Sequence, residues 1–157
     1  MRQAGQKSGW HIRRATEADS EAIAHFLAMH HRPKRSDSVV SEYFIAESLG
    51  KIIGCVAARD KGQLGYLYGL AVEKSWRRRG IGHALTQHGL DWLREKGADS
   101  VFTSVMFWNI RFVKQHGFEL ADRHMKQDLG NLHQDFIDKW NARSVLLVAD
   151  LRKLPIL

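Results

Sequence analysis

The segment 70–85 constrains the fold most, because an apolar run passes there through a basic turn into a helical pattern. The turn carries Arg77, Arg78 and Arg79, followed by Gly80 and Gly82. A strand that leads directly into a helix leaves the first N–H groups of that helix without internal partners and places the positive end of its dipole beside them. Such a helix start stabilises an anion, above all a phosphate group.

The glycines and arginines of this turn favour a diphosphate ligand. Gly80 and Gly82 lack the Cβ atoms that would keep a phosphate away from the backbone, and arginine donates charge-assisted hydrogen bonds to phosphate oxygens. The alternative is a solvated basic turn with glycine caps. Two other phosphate motifs do not fit, because the chain lacks the Gly-Lys-Ser/Thr of a Walker loop and the third glycine of the dinucleotide fingerprint.

Composition narrows the class of protein. A chain of 157 residues that is 44% hydrophobic predicts a single domain with its own core. The net charge of +7 favours an anionic partner: nucleic acid, acidic lipid or a phosphorylated cofactor. The single cysteine, Cys55, excludes an internal disulfide and indicates a cytoplasmic location. Since no apolar stretch is long enough to cross a bilayer, we expect no membrane association.

Alternation of short apolar runs with helical spacing predicts an α/β fold. Strands are predicted at 11–15, 43–47, 51–59, 64–72, 100–105 and 144–150. Helices are predicted at 20–30, 38–44, 81–96, 108–116 and 131–140. We expect a flexible segment over 1–9 and one domain over 10–157. Its centre is a twisted mixed sheet, mainly antiparallel, flanked by helices.

Val72, Arg77, Gly80 and Gly82 fit the pattern Val-x-x-x-x-Arg-x-x-Gly-x-Gly. This pattern resembles the pyrophosphate-binding motif of the GNAT superfamily of acyl-CoA N-acyltransferases, and the resemblance covers residues 10 to about 120. It implies a GNAT-like domain that moves an acetyl group from acetyl-CoA to a primary amine of a small molecule or protein, by direct transfer in a ternary complex. We expect the helix at 131–140 to wall the acceptor cleft of such an enzyme or to form a dimer contact.

Two other functions remain open beside the enzyme. The first is a catalytically weak CoA-binding sensor or partner module, with a homodimer also possible. The second is a nucleic-acid binder, which is disfavoured because the chain has no recognition-helix or RNA-binding signature. We therefore expect no nucleic acid among the partners.

The resemblance also implies a set of cofactor-binding residues. Backbone groups of the fourth strand would pair with the pantetheine arm, the helix start would hold the diphosphate, and Asn109 matches the asparagine that contacts the arm. A free N–H near Val72, in a gap between the fourth and fifth strands, would bind the developing oxyanion. The implied set is Leu70, Ala71, Val72, Arg77, Arg78, Arg79, Gly80, Ile81, Gly82, His83, Asn109 and Phe112.

The catalytic residues are less clear from the sequence. Family members commonly have a tyrosine that protonates the leaving thiolate, and the matching position here is Val113. Tyr66 and Tyr68 are our catalytic candidates, because residues two apart in a strand share a face and these occupy the positions where arylalkylamine N-acetyltransferases have two histidines. The alternative is ordinary packing of strand aromatics. We predict no metal, since no His-Glu-x-x-His occurs, and we expect Cys55 to be a core residue.

Overall fold

The structure is a computed structural model that describes residues 9–30, 39–122 and 144–153. Within these ranges the strands are β1 (His11–Arg14), β2 (Tyr43–Ser48), β3 (Lys51–Lys61), β4 (Leu64–Val72), β5 (Ser100–Met106), β6 (Phe118–Leu120) and β7 (Ser144–Asp150). The helices are α1 (Ser20–Met29), α2 (Ile81–Glu95) and α3 (Ile110–Lys114), with 3₁₀ turns at Glu17–Asp19, Val40–Glu42, Lys74–Trp76 and Phe107–Asn109.

The strands form one mixed sheet in the order β1-β2-β3-β4-β5-β7-β6. Neighbouring strands in the described residues are antiparallel except for β4 and β5, which run parallel. Helices cover both faces of the sheet, since α1 and α2 contribute to two separate apolar clusters. The predicted fold class, a mainly antiparallel mixed sheet flanked by helices, is confirmed.

Most of the predicted elements are present, with two corrections. The helix predicted over 38–44 is wrong: the described part of this segment is a single 3₁₀ turn, and β2 begins at Tyr43. Tyr43 and Phe44 pair with β3 and are buried, so burial on both faces of the sheet outweighs the helical pattern. The short edge strand β6 was not predicted. The predicted helix at 131–140 and all but Gly9 of the predicted flexible segment lie outside the described residues.

The hairpin of β2 and β3 forms where the sequence predicts it. Leu49 and Gly50 connect the strands with φ angles of 51° and 75°. Positive φ at both central residues is typical of the type I′ turn, whose twist matches that of the paired strands. The buried middle of β3 pairs with β2 on one side and with β4 on the other.

The parallel pair of β4 and β5 is short. Its register runs only from Leu64–Ser100 to Tyr66–Phe102, although β4 continues to Val72 and β5 to Met106. Directly after the last paired residues, the hydroxyl of Thr103 donates a hydrogen bond to the carbonyl of Leu67 at 2.8 Å. The two strands therefore separate in the middle of the sheet and leave one edge of β4 open.

Close packing of α2 on β4 gives a test of this architecture. A Cβ atom on Gly65 would lie 2.9 Å from both Cδ atoms of Leu93, which is fully buried. We predict that Gly65→Ala lowers the free energy of unfolding by about 1–3 kcal/mol through overpacking. Denaturant unfolding measures it. Gly82→Ala is the control, because a Cβ atom there meets nothing closer than 3.4 Å; equal stability of both variants would contradict the packing described.

Candidate functional site

A cleft of about 590 Å³ lies where β4 and β5 separate. Its walls come from both faces of the sheet: Ile81 and Thr86 belong to α2, whereas His30 follows the last residue of α1. The cleft thus joins the two faces through the open edge of β4. A donor molecule on one face and an acceptor on the other could meet inside it.

The start of α2 forms one end of the cleft. Gly80 is the N-cap with φ of 83°, and Arg78 also has a positive φ, 66°. The first helical bond is donated by Ala84 to the carbonyl of Gly80 at 3.0 Å. Among the described residues, no hydrogen bond is found for the N–H groups of Ile81, Gly82 and His83. Free N–H donors beside the positive end of a helix dipole can bind an anion, and the assignment of a diphosphate to this position stays a prediction.

The three arginines of the turn have different positions. Arg78 and Arg77 line the cleft, whereas Arg79 does not. The Nε of Arg77 donates to the carbonyl of Val72 at 3.1 Å and so ties the turn to the end of β4. The guanidinium of Arg79 lies 4.6 Å from the centre of the Trp76 ring, in a cation–π contact. Arg78 is the arginine most available to a bound anion.

A cluster of aromatic side chains packs at the first turn of α2. Nδ1 of His83 lies 2.9 Å from Nε2 of His116, so one of the two rings donates a hydrogen bond to the other. Both rings pack against Phe112, with centroid distances of 4.7 Å and 5.4 Å. Burial, together with the nearby charge of His83, lowers the pKa of His116. His116 was not among the predicted site residues.

The middle of the cleft is the open part of β4. Leu70, Ala71 and Val72 line it, as the resemblance implies. Between the pairs Ala57–Tyr68 and Cys55–Ala71, two residues of β4 face one of β3, so a β-bulge lies at Gly69, whose φ is 68°. A bulge takes backbone groups out of the regular ladder. Its signal in the sequence is only a glycine within a strand.

Tyr68 lies in the cleft and is held by two charged residues that the sequence did not single out. Its hydroxyl donates to Oε1 of Glu42 at 2.8 Å, and Arg59 binds the same carboxylate with N–O distances of 2.8 and 3.1 Å. Burial, followed by the charge of Glu42, raises the pKa of Tyr68 far above that of a free phenol. Tyr68 is therefore a neutral phenol whose proton points to Glu42.

Glu42 is ionised in this network. Burial alone would raise its pKa, but hydrogen bonds from Arg59, Tyr68 and the N–H of Val39 together outweigh burial, so the pKa is lowered. Glu42 and Arg59 form an ion pair, so each charge is balanced by the other. No sequence pattern links the three positions, because they come from a 3₁₀ turn and two different strands.

Tyr66 is placed differently from Tyr68. Their rings touch at 5.2 Å, which agrees with the predicted shared face of the strand. The ring of Tyr66, however, is only 2% exposed, packs on Phe102 at 4.2 Å and does not line the cleft. The structure thus brings only one of the two tyrosines to the cavity.

The remaining wall comes from the segment after β5. Asn109, Phe112 and Val113 all line the cleft, so the site has an apolar valine where the resemblance implies a tyrosine. Cys55 is fully buried, as expected of a core residue. Lining residues that the sequence analysis missed are His30, Val56, Leu67, Gly69, Trp76, Thr86, Thr103, Ser104, Val105 and Trp108.

The part of the chain that the structure describes contains no group of three or more His, Cys, Asp or Glu side chains placed to hold a metal ion. No helix within 9–30, 39–122 or 144–153 has both the length and the apolar character needed to span a membrane. The absence of a metal stays a prediction.

Comparison with known proteins identifies the family. The model of the Acetyltransferase (GNAT) family matches residues 9–118. The chain belongs to this family. The match includes the cleft residues contributed by β4, by the start of α2 and by α3. It agrees with the resemblance carried by Val72, Arg77, Gly80 and Gly82.

Individual relatives agree with the family assignment. An uncharacterized N-acetyltransferase of Chlorobaculum tepidum is 32% identical over 85 residues, which are 54% of this chain and 54% of that protein. N-acetylglutamate synthase from Neisseria gonorrhoeae, complexed with coenzyme A and N-acetyl-glutamate, gives a TM-score of 0.76 at 23% identity, over 90% of this chain and 35% of that one. The chain spans about half the length of the first relative and about a third of the second.

The GNAT fold also appears in a relative of similar size. The ribosomal-protein-S18-alanine N-acetyltransferase from Escherichia coli gives a TM-score of 0.67 at 17% identity, over 94% of this chain and 99% of that chain. At this identity the likeness concerns the fold.

The Glu42 network predicts a pH dependence of stability. Because the pKa of Glu42 is lower in the folded chain than in the unfolded one, its stabilisation is present above the unfolded pKa of about 4.3 and is lost as the pH falls through the folded value. We predict that Glu42→Gln flattens the loss of melting temperature between about pH 5 and pH 3. Glu95→Gln, at an exposed position at the end of α2, is the control. Parallel curves for wild type and Glu42→Gln would contradict the network.

Proposed function

We propose that the protein is an acetyl-CoA-dependent N-acetyltransferase, which moves the acetyl group to a primary amine of a small molecule or protein. The observation that carries this proposal is the cleft through the sheet, with unpaired N–H groups of α2 at one end and the open edge of β4 along its wall. Family membership supports it. The single buried Cys55 accords with a cytoplasmic location, which we also propose.

In this proposal coenzyme A enters from the side of α2. Its diphosphate accepts hydrogen bonds from the N–H groups of Ile81, Gly82 and His83, and Arg78 adds a positive charge. The pantetheine arm lies along Leu70–Val72 as an added strand, because none of the described strands pairs with this edge of β4 beyond Tyr66. Asn109 and Phe112, which also line the cleft, contact the arm from its opposite wall.

The acetyl group then lies where β4 and β5 separate, within reach of an acceptor that enters from the side of α1. Direct transfer forms the N–C bond, breaks the C–S bond and releases the thiolate, without a covalent acyl-enzyme. Backbone N–H groups near the bulge at Gly69 are our candidates for stabilising the oxyanion. Val113 has no proton to give, so in this proposal the thiolate is protonated by water.

We assign Tyr68 to acceptor binding. Its O–H donates to Glu42 and its oxygen accepts a bond of 3.4 Å from Arg59, so the phenol is held in a fixed orientation on the wall of the cleft, where an acceptor would meet it. Tyr66 supports the ring of Tyr68 from the core. A second candidate function, a CoA-binding module without significant catalysis, is favoured by one observation: the apolar side chain of Val113 in the cleft.

Cofactor binding is tested at Gly82. Saturating CoA should raise the melting temperature of the wild type, since a ligand at 100 times its Kd adds about 2.7 kcal/mol. In Gly82→Ala the added Cβ atom, which lies 3.4 Å from the ring of Phe112, narrows the wall of the cleft. We predict a Kd for CoA about tenfold higher, equivalent to 1.4 kcal/mol, with an unchanged melting temperature in the absence of CoA. Calorimetry with equal Kd values would contradict the placement of the diphosphate.

Activity is tested by release of free thiol from acetyl-CoA. The acceptor panel contains L-glutamate, a peptide that begins with alanine, spermidine and ethylamine, which differ in size and charge. Thiol release that depends on an amine supports the enzyme. CoA binding without thiol release for any of these amines would favour the binding module.

The two tyrosines provide a matched pair of variants. Tyr68→Phe should lower kcat by about tenfold or more, the effect of one lost hydrogen bond in a desolvated site, and leave the KM for acetyl-CoA unchanged. Tyr66→Phe should change kcat little, because its ring does not line the cleft. Steady-state kinetics with the best amine of the panel measures both. Equal effects of the two substitutions would contradict the role of Tyr68.

A further inference from the structure

An amine that is protonated in water must lose a proton before it attacks a thioester, so the acceptor side of the cleft needs a proton acceptor. The part of the cleft wall formed by described residues contains no aspartate or glutamate. The titratable side chains among the lining residues are His30, Tyr68, Arg77, Arg78 and His83. Arginine stays protonated in proteins, which leaves the tyrosine and the two histidines.

Two of these three groups are poorly suited to the task. The O–H of Tyr68 donates to Glu42, and burial opposes formation of its phenolate. His83 belongs to the first turn of α2, at the end of the cleft that we assign to the diphosphate and on the opposite face of the sheet from α1, so it would meet the cofactor and not the amine. Neither ring is therefore a good acceptor for the proton of the amine.

His30 lies on the other side of the sheet, directly after α1. Its Nδ1 is 2.7 Å from the carbonyl oxygen of Phe26. A carbonyl oxygen only accepts hydrogen bonds, so Nδ1 carries the proton and Nε2 of the neutral ring carries the lone pair. The ring also packs on Phe26 with a centroid distance of 4.2 Å.

The environment of Nε2 is that expected of a general base in contact with its substrate. No hydrogen bond of this atom to a described residue is found. The ring is partly exposed and lines the cleft together with Tyr68 and Gly69. Imidazole is also the side chain whose protonation normally changes near neutral pH. One ring nitrogen is thus held by the helix end, and the residue itself lines the cavity.

We propose that His30 is the general base of the reaction, an assignment that rests on the proposed acetyltransferase function. Nε2 takes a proton from the ammonium group: the N–H bond of the substrate breaks, an Nε2–H bond forms, and the freed lone pair attacks the thioester carbon. The C–S bond then breaks, the new amide nitrogen loses its second proton to water, the thiolate takes a proton from water, and His30 returns its proton to solvent.

The test uses His30→Ala, with His25→Ala as the matched control, because His25 is an exposed histidine of α1, the helix that His30 follows. With the best amine of the panel we expect His30→Ala to lower kcat by about 10²-fold or more, without a change in the KM for acetyl-CoA. Free imidazole added to His30→Ala should restore part of the rate in proportion to its concentration. His25→Ala should match the wild type with and without imidazole.

Other outcomes separate this assignment from the proposed function. An unchanged kcat in His30→Ala, or a lowered kcat that imidazole does not raise, overturns the role of His30 and leaves the acetyltransferase intact. If His30→Ala does not fold, His30→Gln keeps the size of the side chain and must show the same loss of kcat. A wild type that binds CoA but transfers acetyl to no amine of the panel overturns the proposed function and, with it, the assignment of His30.

Discussion

The separation of β4 from β5 is the constraint on which the rest of the site depends. The parallel register stops at Tyr66–Phe102, and Thr103 binds the carbonyl of Leu67 where the ladder would otherwise continue. A sheet that stayed closed would bury this edge of β4 and keep its two faces apart. Because it opens, one cavity reaches the start of α2 on one face and the end of α1 on the other.

The sequence predicts well the strand and the helix that form the α2 end of this cavity. A strand, a basic turn and a helix lie next to each other along the chain, so their relative position follows from local geometry alone. The apolar run that ends at Val72 and the helix that begins after Gly80 are found where the pattern places them. The arginines show the limit of this approach, because Arg77 and Arg79 bind a carbonyl and a ring whose positions only the folded turn defines.

The end of the cavity that we assign to the acceptor is hardly visible in the sequence, because its residues are distant along the chain. Glu42, Arg59 and Tyr68 meet through the antiparallel register of β3 and β4 and through the 3₁₀ turn before β2. Their network depends on a register that no periodicity reveals. The helix predicted over 38–44 was wrong for the same reason, since pairing with β3 decides the structure of Tyr43. His30 likewise becomes a candidate only when the end of α1 is placed beside the bulge of β4.

Amide hydrogen exchange, followed residue by residue with and without coenzyme A, tests the central claim most directly. In the free protein the N–H groups of Ile81, Gly82 and His83 have no partner among the described residues and should exchange quickly. With saturating coenzyme A these amides should become strongly protected, together with those of Leu70–Val72. Unchanged exchange at α2, or protection confined to another part of the chain, would contradict the assignment of this helix start as the diphosphate site.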